Sequence, residues 1–111
     1  MASQKCYVIG AIVVLSALIL LAVHFSREND VISDCISLCQ HAKEMNMNLS
    51  RGPCLSDGNP EWKHEDWVCD VAHNPRKPVD NLPENQCNEF RNGKAHHFVE
   101  VTPECEFIRA V

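Results

Sequence analysis

The sequence predicts an α+β fold: an N-terminal transmembrane helix, then a small disulfide-stapled domain with two helices packed on a short antiparallel sheet. Three observations predict it. Tyr7 to Val23 is a run of 17 residues without a charge. Six of the seven cysteines follow that run. Beyond it the apolar spacing is first helical, at steps of three and four, and then alternating.

Adding His24 and Phe25 extends the apolar run to 19 residues, which at about 1.5 Å per residue reach about 28 Å, close to the hydrocarbon thickness of a bilayer. Val, Ile, Leu and Ala leave no polar stripe, as a helix in a globular core would have. Lys5 and the amino terminus precede the run, as in a signal n-region, but the run is longer than the h-region of a cleaved signal. His24 and Phe25 are also too bulky for the small-residue cleavage positions. The expectation is an uncleaved signal-anchor: residues 1–6 cytoplasmic, 7–25 in the membrane and 26–111 extracytoplasmic, with Ser26–Asn29 as the whole linker. The charges around the run favour this orientation only slightly. Cysteine usage favours it more, because Cys35, Cys39, Cys54, Cys69, Cys87 and Cys105 form an even set in about 80 residues, the mark of a disulfide framework in an oxidising compartment. Cys6 is left on the cytoplasmic side as a juxtamembrane thiol, open to acylation or intermolecular pairing.

From position 27 onward Leu, Ile, Val and Phe number 17, about a fifth of the domain and near the level at which chains stop folding. Three disulfides at about 2–4 kcal/mol each supply what such a core lacks. Val31, Cys35, Leu38, Ala42, Met45 and Leu49 make one continuous apolar helix face, with Asn29 or Asp30 as cap and Gly52-Pro53 as stop. Cys35 and Cys39 lie one turn apart on it and point to the same side. Asp57-Gly58-Asn59-Pro60 reads as a turn. Trp67 to His73 reads as a strand, with Trp67, Cys69, Val71 and His73 on one face. A proline-bracketed loop follows, then a helix from Asn81 to Gly93 with Pro83 in its first turn. A hairpin of Ala95–Val101 and Cys105–Ala110 closes the chain. Six cysteines allow about 15 connectivities. The preferred one pairs Cys87 with Cys105 and bridges Cys35 and Cys39 to Cys54 and Cys69.

All fifteen acidic residues but only nine of the ten basic ones lie from position 27 on, a net charge of −6 with neutral histidines. That argues against nucleic acid or an anionic lipid surface as the domain's partner. Cys35-x₃-Cys39 has no second knuckle, so no metal or other cofactor is expected. His73, His96 and His97, with Asp70 and Glu100, are the residues able to do acid–base work. His96 and His97 fall on opposite faces of a strand, whereas His96 and Glu100 share one. Arg76 would add a cation, and His73, Arg76, His96, His97 and Glu100 are therefore the catalytic candidates. In the proline-bracketed loop, Asn74, Arg76, Lys77 and Asp80 are candidates for a recognition surface, since prolines reduce the entropy lost on binding. Asn48-Leu49-Ser50 is an N-glycosylation sequon.

Gly52-Pro53-Cys54-Leu55-Ser56, Trp67-Val68-Cys69-Asp70-Val71-Ala72-His73-Asn74-Pro75-Arg76, Asn85-Gln86-Cys87 and His97-Phe98-Val99-Glu100-Val101 resemble a group of short archaeal membrane-anchored cysteine-rich proteins of unknown function. The resemblance spans most of the exported domain and implies no activity. Cys-x-x-Cys, Gly-x-Ser-x-Gly, His-Glu-x-x-His and Gly-rich phosphate loops are missing. The expectation is a non-enzymatic binding or structural module at the cell envelope, with a protein partner at the membrane surface. A small hydrolase or nuclease is the second reading and a metal-binding module the third.

Overall fold

The structure, a computed structural model, describes the backbone of residues 2–111 and the side chains of residues 14–24 and 26–111. The chain divides into two units, Met1–Asp30 and Val31–Val111. Helix α1, Ala2–Glu44, supplies residues to both. Asn29 and Asp30, expected as caps, are inside it, and Ser26–Asn29, expected as the linker, is helical. From Ala2 to Glu44 the sequence has no proline and no glycine except Gly10, so neither residue type breaks the helical hydrogen bonding of that stretch. In the first unit Val14, Leu15, Leu18, Ile19, Leu20, Leu21 and Val23 are all exposed. Among the described residues no helix is long and apolar enough to cross a membrane. Of the expected span 7–25, the side chains of residues 7–13 and of Phe25 lie outside the described residues.

The second unit begins with the cysteine-bearing part of α1. Val31, Cys35, Leu38 and Ala42 are buried as their spacing predicts, and so is Leu49. Met45 is exposed because the helix ends at Glu44. There the Met47 N–H donates to Ala42 O at 3.0 Å and the Asn46 N–H to Lys43 O at 3.1 Å, with Asn46 left-handed at φ 62°. This is a Schellman stop, in which asparagine takes the place usually held by glycine.

The sheet corrects the expected topology. Strands β1 (Trp67–Val71), β2 (His97–Val101) and β3 (Phe107–Ala110) lie in the order β1-β2-β3. β1 and β2 are parallel, whereas β2 and β3 form the expected antiparallel pair. Residues 72–96 separate the first two strands, enough for the crossover that a parallel pair needs. The second correction falls on that crossover. In place of a helix over residues 81–93 there are 3₁₀ turns at Pro78–Asn81 and Pro83–Asn85, then a single turn, α2 (Asn88–Arg91). Leu82 is extended ahead of Pro83 and Gln86 is extended too, as is Cys87. Proline disfavours helical backbone in the residue before it. Helix restarts where the Asp57 carboxylate accepts the Asn88 N–H at 2.6 Å, an acceptor at the positive end of the turn.

Three disulfides staple this unit: Cys35–Cys69, Cys39–Cys105 and Cys54–Cys87. The six expected cysteines are used, but Cys87 pairs with Cys54 and not Cys105, and Cys39 takes Cys105. The reason is geometric. Cys35 and Cys39 both face the sheet, where one meets the middle of β1 and the other the turn after β2. Sequence separations of 34, 66 and 33 residues correspond to about 4 kcal/mol each when chain entropy alone is counted.

Alternation along the strands gives the sheet two unlike faces. Cys69, Val71, Val99 and Val101 are fully buried with Val31, Cys35, Leu38 and Ala42 of α1 and form the core. Val68 and Asp70 of β1, Phe98 and Glu100 of β2 and Arg109 of β3 border a cavity on the other side.

Candidate functional site

The second face is covered only in part. Val68, Cys87 and Ala95, with Cys54 and Phe98 against them, make a small second cluster under the crossover. Beside it lies a cavity of 220 Å³ lined by Val68, Asp70, Arg76, Gln86, Cys87, Phe90, Arg91, Phe98, Glu100 and Arg109. Parallel register sets Asp70 beside Glu100 and Val68 beside Phe98. The antiparallel register sets Arg109 against Glu100.

Glu100 is the anchor of the polar side. Its side chain is buried between two arginines: Arg76 Nη1 donates to Oε2 at 3.0 Å and Arg109 Nη2 reaches Oε1 at 2.8 Å. Arg109 Nε also donates to Oε1 at 2.8 Å. Arg76 is held further by Asn81 Oδ1 at 2.8 Å and by the Asp80 carbonyl at 3.3 Å. Both glutamate oxygens therefore accept from guanidiniums, the strong charge-assisted kind of hydrogen bond. Arg109 also lies over the Phe98 ring at 5.2 Å, and Phe90 meets Phe98 edge-on at 5.2 Å.

Asp70 is the unsettled member. Its Oδ1 is buried and has no hydrogen-bond partner among the described residues. Burial, and after it the neighbouring Glu100 carboxylate, push its pKa up to about 8, against the pull of Arg76. At neutral pH Asp70 is thus largely an uncharged acid, a hydrogen-bond donor in a partly apolar pocket. Arg91, also on the lining, has no side-chain partner among the described residues. With Asp70 protonated, the cavity holds three guanidiniums against one carboxylate. It is a basic spot on an acidic domain.

The sequence candidates separate into three places. Arg76 and Glu100 come together in this cavity. His73 does not reach them, because its Nδ1 lies 2.9 Å from Oδ1 of the buried Asp80. Asp80 also accepts the His73 and Lys77 N–H groups, each at 2.9 Å. Burial pushes the Asp80 pKa up, but these donors and the His73 ring outweigh it and hold it below the usual carboxylate range. Asp80 therefore pins the proline-bracketed loop from within and is not presented to a ligand. Asn74 and Lys77 are exposed and border a separate cavity of 320 Å³ with His73, Arg76, Thr102 and Glu104.

His96 and His97 lie away from Glu100. His96 Nδ1 is 2.6 Å from Asp66 Oδ1 and His97 Nε2 is 3.6 Å from Oδ2 of the same aspartate. His97 is also stacked on Trp67 at 4.7 Å. The two neighbours share one partner because β2 starts only at His97, so strand alternation does not apply to His96. Among the described residues a single set of potential metal ligands converges, Cys54, Asp57 and Cys87. Its two sulfurs are joined to each other and are not thiolates.

Sequence reasoning missed Arg91, Arg109, Phe90 and Phe98, and treated Asp70 only as company for the histidines. One signal was available. Val68 and Asp70 are two apart in a strand whose odd-numbered members are core, so Asp70 had to face away from α1. The chain matches no family model, no curated protein and no solved structure. The resemblance to short archaeal membrane-anchored proteins gains no support from these comparisons.

Proposed function

We propose that this chain is a membrane-anchored extracytoplasmic binding module that takes a ligand in the cavity opposite α1. The observation that carries the reading is the buried Asp70 oxygen at the wall of a cavity with an ion-paired Glu100 and Arg91, the Asp70 oxygen and the Arg91 side chain having no partner among the described residues. A pocket with an apolar wall, a few convergent polar groups and one strongly perturbed acid is the usual form of a small-molecule site. The staples fit the role, because they hold the strands and crossover that make the walls and lower the ordering cost of binding.

The location rests on separate support. Three disulfides suit an oxidising compartment. The exposed apolar side chains between Val14 and Val23 form a surface that a lipid phase would cover, larger than isolated apolar residues on a soluble protein. A hydrolase acting through the histidines loses its geometry, since none of them lies on the cavity that holds Glu100.

Native mass spectrometry of the full chain, released from its own membrane, tests the reading. The expected spectrum shows a small-molecule adduct that Gln86→Trp, which fills the cavity rim, abolishes without unfolding the domain. Identical adducts in both proteins, or none in either, would refute a ligand cavity at this place. Labelling intact cells with a membrane-impermeant thiol reagent tests the topology. The six domain cysteines should react only after reduction.

A further inference from the structure

We propose that the cavity binds a small organic carboxylate, with its apolar or aromatic body against Phe90 and Phe98 and its anionic end between Arg91, Arg109 and the Asp70 carboxyl. The inference rests on the binding reading above and names its ligand class. Glu100 already satisfies Arg76 and one side of Arg109, so those charges fix the pocket and do not attract a ligand by themselves. What is left over is specific. Arg91 is a guanidinium with no partner among the described residues, and guanidinium is planar and forked, a geometry that carboxylates match. Asp70 brings a buried polar atom with nothing to bond, which costs stability until something bonds it. The remaining wall is made of two aromatic rings packed edge to face. A cation is disfavoured at the same place by Arg76, Arg91 and Arg109 together. The cavity of 220 Å³ is below the range for drug-sized ligands, about 300–1,000 Å³, so a compact ligand of one ring or one short chain fits it.

Titration of Asp70 gives the inference a signature. The charged groups around Asp70 are Glu100 from β2, Arg76 and Asp80 from the crossover, with Arg91 of α2 and Arg109 of β3 on the same cavity. While Asp70 keeps its proton it donates to a bound carboxylate. Once it ionises it repels one. A bound carboxylate raises the Asp70 pKa further, so by linkage its affinity falls as pH rises through about 8. A bound ammonium does the opposite.

The experiment is an amide-shift titration by NMR of the full chain in zwitterionic phospholipid nanodiscs, with benzoate, benzylamine and benzyl alcohol as probes. Benzoate is expected to bind tightest of the three and to shift Val68, Asp70 and Phe98. Its affinity should drop about tenfold or more from about pH 6 to about pH 10. Asp70→Asn should abolish that pH dependence, and Arg91→Glu, at an exposed position, should weaken benzoate by about tenfold or more. If benzylamine or benzyl alcohol is preferred in the cavity, the carboxylate assignment is wrong while the binding reading stands. If none of the three moves these amides, both are wrong.

Discussion

Asp70→Asn is the substitution most diagnostic of this architecture, because one buried acid should govern how stability depends on pH. In the folded chain the pKa is about 8, against 3.8 for the free side chain. The folded state therefore binds the proton more tightly than the unfolded state does. Its contribution is fully present below pH 3.8, declines as pH rises and is lost above about 8. Each pKa unit is worth about 1.4 kcal/mol, so the loss across the window is on the order of 5 kcal/mol, a large part of the 5–15 kcal/mol typical of a whole domain. The amide that Asp70→Asn introduces carries no charge to desolvate, so the variant should match wild type near pH 4 and exceed it increasingly up to about pH 9. Urea unfolding of the full chain in detergent, with disulfides intact and Trp62 and Trp67 as fluorophores, measures this directly. Asp80 does not blur the result. Its folded pKa lies below 3.8, so its contribution is lost only as pH falls below that value. Parallel stability curves for the two proteins between pH 4 and 9, differing by less than about 1 kcal/mol, would refute the placement of Asp70 in a desolvated site beside Glu100.

Other perturbations follow from particular contacts. A Cβ on Gly52 would lie 2.6 Å from Asp80 Oδ1 and 3.2 Å from the Val71 carbonyl, at φ 68°; Gly52→Ala should cost about 2–4 kcal/mol in the urea midpoint, and a neutral result would place Asp80 elsewhere. Replacing Cys54 and Cys87 together by serine should cost about 2–4 kcal/mol and broaden the amide signals of Val68 and Ala95, which pack on that bridge, while leaving Val99 and Val101 sharp. Equal broadening on both faces of the sheet would contradict the two-cluster arrangement. Asn48 is exposed, with its Oδ1 accepting from the Ser50 hydroxyl. Expression through a eukaryotic secretory pathway should therefore add a glycan, seen as a mass shift that glycosidase reverses and Ser50→Ala removes; an unmodified product would show that the turn excludes the transferase.

The sequence carried the helix face and the disulfide framework because both depend on local spacing. Val31, Cys35, Leu38 and Ala42 are buried on period alone, and an even set of cysteines in a chain with few apolar residues implies staples whatever the topology. Strand direction and pairing are not local quantities. Whether β1 runs with or against β2 depends on how the crossover packs, and Asn81, Pro83 and Gly93, good helix punctuation, point to a helix over its second part, after the proline-bracketed loop. Pro83 suits a helix start, but it also holds Leu82 extended, and Cys87 is drawn away by its bond to Cys54. Met45 failed for the same kind of reason: its spacing was helical, yet Asn46 turned the backbone one residue later.

The site was legible in its residues and not in its neighbourhoods. Arg76 and Glu100 stand out in the sequence as partners for histidines that in the fold bind Asp66 and Asp80 instead. Those pairings are decided by long-range register: Glu100 meets Arg109 only because β3 folds back with a bulge between Glu100 and Val101, and meets Asp70 only because β1 and β2 are parallel. The parallel register has an energetic consequence. It sets two carboxyl groups side by side in a chain with few apolar residues to spare, where they cannot both ionise cheaply. Glu100 is given two arginines. Asp70 receives none of its own and keeps its proton instead. A domain selected for stability alone would replace Asp70 with valine, which suits a strand and needs no partner. The acid, the open cavity beside it and Arg91, which has no side-chain partner among the described residues, are coherent together as parts of the proposed carboxylate site.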